Sequence, residues 1–321
     1  MPEKPRVLVT RRLPDHVEAR LKHVYDPDLN TGDHLYSQDD LVARSQGMAA
    51  ILPCPTDKIT AEVIRGLADT VKIIATFSVG HEHIDSAAAA GRGIVVTNTP
   101  DVLTDATAEI AMLLILGAAR RAPEGERMVY NKTWGAWAPT GMRGIEVTGN
   151  RIGILGMGRI GRALAERARG FDMEVHYHNR SRLPEHLEKG AVFHNYLDGL
   201  LAVSNILSIN CPSSTDTVKL IDAGRIARLP DDAIVVNTAR GNIVDDEALI
   251  AALQSGKLFA AGLDVFDGEP DIHPGYRGLD NAFLLPHLGS ATRQTRDAMG
   301  FRALDNLDAF FAGRPPPDRV A

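Results

Sequence analysis

The sequence predicts an α/β fold with two doubly wound parallel-sheet domains and a cleft between them. Short runs of β-branched and aliphatic residues alternate with helix-like stretches along most of the chain, a pattern typical of βαβ units. The alternation is interrupted by a Gly- and aromatic-rich segment at residues 131–150, after which a second series begins. The chain has 321 residues, which suits two domains of about 100–200 residues each.

The composition is that of an ordinary globular protein and argues against several classes of function. Hydrophobic residues make up 44% and charged residues 24% of the chain, and a net charge of −6 disfavours a nucleic-acid partner. Neither a signal peptide nor an apolar run of about 18 residues is recognisable, so no membrane association is expected. Cys54 and Cys211 lie far apart and predict neither disulfides nor a metal site. We therefore expect a cytoplasmic protein.

The first series contains four predicted strands, at residues 6–10, 49–52, 71–77 and 94–99. Amphipathic stretches between them predict three helices, at residues 13–24, 59–67 and 83–91. A longer helix is predicted at residues 102–121. Its apolar part, AEIAMLLILGAA, is too short to span a membrane and is expected to be buried.

The second series contains six predicted strands, at residues 151–155, 173–177, 204–210, 233–237, 260–264 and 282–285. Helix-like stretches separate these strands. A final helix is predicted at residues 293–313, where apolar residues recur every three to four positions before a run of prolines. In open parallel sheets ligands bind beyond the carboxyl ends of the strands, so functional residues are expected there.

The stretch GILGMGRIG contains Gly156, Gly158 and Gly161 in a Gly-x-Gly-x-x-Gly pattern. Directly after a predicted strand and at the start of a predicted helix, this pattern is typical of a dinucleotide-binding turn. The first glycine permits the turn, the second lets a pyrophosphate approach the backbone, and the third allows the helix to pack closely on the sheet. The N–H groups at the start of the helix then face the anion.

The next strand ends at His178 and is followed by Asn179, Arg180, Ser181 and Arg182. NAD-binding units usually place a carboxylate here, where it accepts a hydrogen bond from the ribose 2′-OH. An asparagine followed by two guanidinium groups and a hydroxyl is suited instead to the 2′-phosphate of NADP. NADP is the preferred cofactor in this interpretation. The alternative is a solvated basic turn beside a site that also accepts NAD.

Three further strand ends carry groups suited to a small anionic carbonyl compound. Arg240 and His287 each follow a predicted strand in the same series as the glycine turn, and Asp264 stands at the end of another, with Glu269 a few residues on. Histidine suits a proton donor, a carboxylate orients it and favours its charged form, and arginine clamps a carboxylate. Glu269 and His287 are distant in sequence, so only the fold can pair them.

The segments GILGMGRIG, NTARG, GLDVFDGEP and PHLGSAT occur in this order, preceded by FSVGHEHID and NTPDVLTDATAE. In this order and spacing they resemble the D-isomer-specific 2-hydroxyacid dehydrogenases over nearly the whole chain. Within that family, NTPDVLTDATAE and the Trp-bearing loop are most similar to the glyoxylate/hydroxypyruvate reductases. The resemblance implies an NAD(P)-dependent enzyme built from two Rossmann/flavodoxin-like domains.

On the substrate side, the resemblance implies a role for each matching residue. Arg240 is expected to bind the substrate carboxylate and polarise the carbonyl, and Glu269 to pair with His287, the general acid/base. The backbone N–H groups of Val79 and Gly80 are expected to hold the same carboxylate. In a homodimer, Trp137 is expected to reach the active site of the partner subunit; the alternative is packing within its own loop.

On the cofactor side, Asp264 is expected to contact the nicotinamide carboxamide, with Thr107 near the nicotinamide and Pro212 along the cofactor. The complete set of expected cofactor contacts is Thr107, Gly156, Met157, Gly158, Arg159, Ile160, Gly161, Asn179, Arg180, Ser181, Arg182, Cys211, Pro212, Thr217, Thr238, Ala239, Asp264, His287 and Gly289.

The resemblance also implies that one domain is assembled from both ends of the chain. Residues 1–99 and 288–321 are expected to form the substrate-binding domain, and residues 100–287 the cofactor-binding Rossmann domain. The two crossovers between the domains are expected to act as a hinge that closes the cleft.

Two features depart from the family pattern. His81 and His83 stand beside the carboxylate loop where relatives often carry Tyr and Asn. Pro55 stands where many reductases have a leucine that lines the substrate pocket. These residues either alter the fit of the substrate side chain or are neutral.

The expected reaction is the reduction of glyoxylate or hydroxypyruvate to glycolate or D-glycerate, by hydride transfer to C2 with His287 as the proton donor. Another D-2-hydroxyacid dehydrogenase, or a phosphite dehydrogenase of the same family, would share the Arg, Glu and His set. An NAD(P)-sensing protein without metabolic turnover, on the same fold, is the rival from a different functional class.

Overall fold

Every strand pair in the two sheets is parallel, which confirms the predicted fold class. The structure is a computed structural model that describes residues 4–321; the first three residues of the predicted N-terminal domain lie outside the described residues. The first unit comprises the described residues up to Leu103 together with Ala291–Ala321, and the second unit is Thr104–Ser290. Within residues 4–321, no helix has the length and apolar character that a membrane crossing requires.

The first unit is a five-stranded sheet with the strand order β2-β1-β3-β4-β5. Its elements are β1 (Arg6–Val9), α1 (Asp15–Val24), β2 (Asp26–Leu29), α2 (Gln38–Arg44), β3 (Ala50–Leu52), α3 (Ala61–Gly66), β4 (Ile73–Ala75), α4 (Ser86–Gly91), β5 (Val95–Thr97) and, at the end of the chain, α12 (Arg293–Phe311).

The second unit is a seven-stranded sheet with the order β12-β11-β10-β9-β6-β7-β8. Its elements are α5 (Thr104–Ala119), α6 (Ala122–Tyr130), β6 (Arg151–Leu155), α7 (Arg159–Arg169), β7 (Glu174–His178), α8 (Glu185–Glu188), β8 (Val192–Phe193), α9 (Leu197–Val203), β9 (Ile206–Ile209), α10 (Ala223–Ile226), β10 (Ala233–Asn237), α11 (Asp246–Ser255), β11 (Leu258–Leu263) and β12 (Ala282–Leu284), with short 3₁₀ turns at Gly241–Ile243 and Pro274–Gly278.

Each sheet has a hydrophobic core on both faces, as a doubly wound fold requires. In the first unit, α1 and α12 supply one core through residues such as Val17 and Leu304, while α2, α3 and α4 supply the other. In the second unit, α5 and α7 cover one face and α9, α10 and α11 the other. The predicted burial of the apolar helix α5 is confirmed, since Leu114 and Ile115 are inaccessible to solvent.

The boundaries of the units lie three to four residues beyond those predicted at 99/100 and 287/288. Val102 and Leu103 pack on the core of the first unit, so the chain leaves that unit only where α5 begins. At the second crossover, the N–H groups of Leu288 and Gly289 donate to Asp264 of the second unit. These two residues are thereby held in the second unit.

Four elements, β2, α2, α6 and β8, were not foreseen from the sequence. β2 reads Asp-Pro-Asp-Leu, and its proline is tolerated because β2 is an edge strand of its sheet. β8 has only two residues and is likewise an edge strand. The helix predicted at residues 102–121 stops at Ala119, and the left-handed backbone of Arg121 separates it from α6.

Candidate active site

The glycine turn joins β6 to α7, and two of its glycines are required by close backbone contacts. A Cβ at Gly156 would lie 2.5 Å from the backbone nitrogen of Cys211, and one at Gly161 would lie 2.5 Å from the carbonyl oxygen of Gly156. A Cβ at Gly158 would meet nothing within 4 Å. The backbone before α7 is therefore open on one side, where the first N–H groups of the helix lack intrahelical acceptors. This open surface fits a nucleotide pyrophosphate.

Asn179 supports the glycine turn from the end of β7. Its Oδ1 accepts a hydrogen bond of 2.7 Å from the N–H of Met157, and the preceding carbonyl of His178 accepts one of 3.0 Å from the N–H of Gly156. The residue predicted to replace the usual carboxylate thus fixes the shape of the glycine turn.

The basic turn after Asn179 contains one ion-paired arginine. Nε and Nη2 of Arg182 donate hydrogen bonds of 2.8 and 2.9 Å to the carboxylate of the buried Glu188. The Arg182 guanidinium and the Tyr177 hydroxyl lower the pKa of Glu188 to about 2. Arg180 is exposed. Two equivalent guanidinium groups were predicted, and the structure shows that Glu188 already neutralises one of them.

The other predicted cofactor contacts follow the neighbouring strands β9 and β10. Thr217 Oγ1 donates to the carbonyl of Pro212 at 3.0 Å, which closes the turn after β9. Burial raises the pKa of the Cys211 thiol to about 11, so this group is neutral at physiological pH. Thr238 Oγ1 is buried without a hydrogen-bond partner among residues 4–321, so a polar atom is left for a ligand.

Glu269 and His287, distant in sequence, form a hydrogen-bonded pair. Oε2 of Glu269 lies 2.8 Å from Nδ1 of His287, and Oε1 accepts a hydrogen bond of 2.7 Å from the N–H of Phe266. Burial acts to raise the pKa of Glu269, but the hydrogen bonds from His287 and Phe266 outweigh it and the pKa is lowered. Because the carboxylate is ionised, Nδ1 is the donor and Nε2 is the ring atom left for proton transfer.

The loop that carries His287 is clamped by Asp264. Oδ1 and Oδ2 of Asp264 accept hydrogen bonds of 2.6 and 2.8 Å from the N–H groups of Leu288 and Gly289, and Thr107 Oγ1 donates to the carbonyl of Gly289 at 3.0 Å. His287 has a left-handed backbone with φ of 57°, which costs a non-glycine residue about 1–2 kcal/mol. Burial raises the pKa of Asp264. The predicted contact of Asp264 with the nicotinamide stays a prediction.

Arg240 is brought to this pair by backbone packing. A Cβ at Gly241 would overlap the backbone of Phe266 and Asp267, so only glycine lets the two loops touch. Arg240 lies close enough to Glu269 for its positive charge to help lower the pKa of that carboxyl group. The structure therefore unites Arg240, Glu269 and His287.

Asn237, at the end of β10, holds the loop of Arg240 and was not singled out from the sequence. Its Nδ2 donates to the carbonyl of Arg240 at 2.9 Å, and its Oδ1 accepts from the N–H of Ala239 at 2.9 Å. The side chain is 1% exposed. The sequence did hold a clue, because Asn237 ends the apolar strand AIVVN. A buried amide at that position needs hydrogen-bond partners in the adjoining loop.

In the first unit, Val79 and Gly80 lie in the turn after β4. Among residues 4–321, no protein atom accepts a hydrogen bond from their N–H groups. Nearby, Nε2 of His83 lies 3.0 Å from Thr76 Oγ1, and Nδ1 of His81 lies 3.4 Å from Ser86 Oγ. The two histidines are thus engaged within the turn itself. Pro55 is exposed in the loop after β3.

Trp137 lies in the loop that follows α6. Its side chain is 85% exposed, so the alternative of packing within its own loop is not observed in this chain. Trp134 and Tyr130 are also mostly exposed. This stretch of the second unit therefore presents several large aromatic side chains to solvent.

Comparisons with known proteins agree with this geometry. The model of the D-isomer specific 2-hydroxyacid dehydrogenase NAD binding domain matches residues 112–289. The chain is 44% identical to a glycerate dehydrogenase of Hyphomicrobium methylovorum over 97% of each chain. It is 40% identical to a glyoxylate reductase of Thermococcus onnurineus, over 99% of this chain and 96% of the relative.

The similarity extends to the three-dimensional structure of a solved protein. An NADPH-dependent glyoxylate/hydroxypyruvate reductase of Sinorhizobium meliloti, in complex with NADP and malonate, has a TM-score of 0.88 to this chain at 31% identity, and the match covers 99% of this chain and 97% of the other. A domain model that spans more than half of the chain, and relatives similar over nearly all of it, place this protein in the D-isomer-specific 2-hydroxyacid dehydrogenase family.

Proposed function

We propose that the protein reduces glyoxylate and hydroxypyruvate to glycolate and D-glycerate, with NADPH as the preferred reductant. The observation that carries the proposal is the 2.8 Å contact between His287 Nδ1 and the Glu269 carboxylate, with the charge of Arg240 nearby. A proton donor and a carboxylate-binding cation, in the same unit as a dinucleotide-binding turn, suit the reduction of small 2-oxo acids. Relatives with the names glyoxylate reductase and glycerate dehydrogenase support this choice of substrates.

His287 is the proton donor in this mechanism. Because Glu269 accepts from Nδ1, the ring donates the proton on Nε2 to the carbonyl oxygen of the substrate and becomes neutral. The ionised Glu269 keeps Nδ1 protonated and holds the ring in place. The guanidinium of Arg240 binds the substrate carboxylate and stabilises the negative charge that develops on the carbonyl oxygen. The N–H groups of Val79 and Gly80 bind the same carboxylate.

When bound, the reduced nicotinamide supplies the hydride that is added to C2 of the substrate. The open backbone at Gly158 and the start of α7 would hold the pyrophosphate. Arg180 and Ser181 would bind the 2′-phosphate, since Arg182 is already paired with Glu188. The unpartnered Thr238 hydroxyl offers one more contact.

The proposed assembly is a homodimer in which Trp137 reaches the active site of the partner subunit. Five large apolar side chains in α5, α6 and the loop after α6 are exposed: Leu113, Val129, Tyr130, Trp134 and Trp137. Their exposure supports an association surface in this part of the second unit.

Initial rates on four 2-oxo acids test the proposed function. With NADPH and NADH in turn, we expect glyoxylate and hydroxypyruvate to be reduced with higher kcat/KM than pyruvate and phenylpyruvate, and NADPH to be preferred. Tight binding of NADPH without turnover of any of the four acids would contradict the proposal and support a sensing protein.

Replacing the Glu269 carboxylate should slow reduction. Glu269 is ionised and lies 2.8 Å from Nδ1 of His287. In Glu269→Gln the ring loses this charged partner, so kcat/KM for glyoxylate should fall about 10- to 100-fold, as expected for the loss of a hydrogen bond to a charged group. The matched control is Glu247→Gln, which removes a carboxylate 3.0 Å from His273 Nε2 elsewhere in the unit. An unchanged kcat/KM in Glu269→Gln would count against the proton-donor assignment.

A charge reversal at Arg180 should change cofactor preference. In Arg180→Asp, the ratio of kcat/KM for NADPH over that for NADH should fall about 10- to 100-fold, because a charge-assisted contact is lost and a carboxylate repels the 2′-phosphate. Arg277→Asp makes the same change at another exposed position of the second unit and should leave the ratio unaltered. An unchanged ratio in Arg180→Asp would remove this residue from the phosphate site.

The role of Trp137 in a dimer is tested by sedimentation and kinetics together. At micromolar concentration we expect twice the mass of the chain, and in Trp137→Ala a higher KM for hydroxypyruvate. Tyr196→Ala removes an exposed aromatic side chain outside this stretch and serves as the control. A fully active monomer would contradict the proposed contribution of a partner subunit.

A further inference from the structure

The start of α12 lies at the same edge of the first sheet as the turn after β4. Strands β1, β3 and β4 are parallel neighbours, so the loops that follow them share one edge of the sheet. Helix α1 begins soon after β1 ends, and Nδ1 of His16, near its start, lies 3.3 Å from the carboxylate of Asp297, near the start of α12. A cavity of about 510 Å³ lies at this place, and Arg296 is one of the residues that line it.

Arg296 shares a face of α12 with a residue that packs on the loops after β3 and β4. Met299 lies three residues further along the helix, and residues at this spacing are neighbours on a helix surface. Met299 and Phe77 are buried in one core, against which Cys54 packs. The N–H of Phe77 donates to the carbonyl of Pro53 at 2.8 Å, so the two loops are joined where they leave the sheet. Arg296 is therefore carried on the side of α12 that faces these loops.

Two arginines place their charge near the Cys54 thiol, and only one of them has a carboxylate partner. Burial and the charge of Asp57 raise the pKa of this thiol to about 12, whereas the charges of Arg11 and Arg296 act to lower it. Nε and Nη2 of Arg11 donate hydrogen bonds of 2.8 and 3.1 Å to the carboxylate of Asp33. For Arg296, no hydrogen bond or ion pair of the side chain is found within residues 4–321.

The charge of Arg296 is therefore partly buried without compensation. Burial lowers its pKa, and within residues 4–321 no carboxylate acts to raise it. Arg302, on the same helix, pairs with the carboxylate of Asp318, and its pKa is raised. A guanidinium that has lost part of its hydration and gained no partner is suited to an anionic ligand, which would restore the lost interaction.

We propose that Arg296 binds a second carboxylate of the substrate, so that the enzyme also reduces 2-oxo dicarboxylates such as oxaloacetate. The inference rests on the proposed function, in which the N–H groups of Val79 and Gly80 bind the carboxylate beside the carbonyl group. The distal carboxylate forms a bidentate pair with the guanidinium, beside the loop of Cys54. Reduction adds the hydride to C2 and the proton of His287 to the carbonyl oxygen, and the product is malate.

A comparison of two acids of the same shape tests the inference. Oxaloacetate carries a carboxylate where 4-methyl-2-oxopentanoate carries an isopropyl group. With NADPH, kcat/KM should be at least about tenfold higher for oxaloacetate, because the distal carboxylate gains charge-assisted hydrogen bonds. Malate is measured as the product, because oxaloacetate loses CO₂ in solution and forms pyruvate.

Removing the guanidinium should abolish this preference. In Arg296→Gln, the ratio of kcat/KM for oxaloacetate over that for 4-methyl-2-oxopentanoate should fall about 10- to 100-fold. The matched control is Arg293→Gln, which removes an exposed guanidinium three residues earlier on the same helix and should leave the ratio unaltered. Both acids are measured on one sample of enzyme, so a smaller folded fraction does not change the ratio.

A second variant separates charge from shape. Arg296→Lys keeps the positive charge and loses the planar pair of donors, so its ratio should lie between those of the unaltered enzyme and Arg296→Gln. This variant also tests the inference where Arg296→Gln fails to fold, because a ratio equal to that of the unaltered enzyme would contradict the bidentate pair.

The outcomes distinguish the inference from the function on which it rests. If the unaltered enzyme reduces glyoxylate and hydroxypyruvate but does not prefer oxaloacetate to 4-methyl-2-oxopentanoate, the role of Arg296 is overturned and the proposed function stands. The same holds if the preference exists and both Arg296 variants keep it. If the unaltered enzyme reduces none of these acids, the function and the inference fail together.

Discussion

The candidate active site depends on one buried carboxylate, that of Asp264. Its two oxygens accept the backbone N–H groups of Leu288 and Gly289, the two residues after His287. These bonds hold His287 in a left-handed conformation in which its Nδ1 meets Glu269 at 2.8 Å. A carboxylate suits this task because it has enough lone pairs for both amides, and burial makes each charge-assisted bond stronger. Together with the hydrogen bonds of Glu269 to His287 and of Thr107 to Gly289, this clamp offsets the conformational cost at His287.

Asparagine side chains fix the other functional loops. Asn98, Asn179 and Asn237 each stand at or just after the end of a parallel strand, and each bonds the backbone of a loop that carries a predicted functional residue. Asn237 uses both its donor and its acceptor at once. An amide can do this without bringing a charge into the site. The loops at the carboxyl ends of these strands are thus shaped by neutral groups, which leaves the charges of Arg240, Glu269 and His287 to the proposed reaction.

In the basic turn after β7, a buried carboxylate neutralises the charge of one surface arginine. Arg182 and Arg180 are two residues apart, yet Glu188 engages only Arg182. The Tyr177 hydroxyl donates to the same carboxylate, so Arg182 is tied to the body of the domain. In the proposed 2′-phosphate site the positive charge is therefore concentrated at Arg180, and the count of basic residues overstates that charge.

The sequence by itself determined the family, the parallel α/β class and the motifs that surround the glycine turn, because strand and helix periodicity and short-range glycine spacing are local properties. It also singled out Arg240, Glu269 and His287 as separate strand-end residues. Only the tertiary structure decided that Gly241 packs on the loop of Glu269 and that Arg182 forms an ion pair with Glu188. It also decided which loops the side chains of Asn98 and Asn237 hold. Edge strands such as β2 were missed for the same reason. A hydrogen bond between segments far apart in the chain produces no recognisable pattern in the sequence of either segment. Such a bond can therefore be identified only in the folded structure.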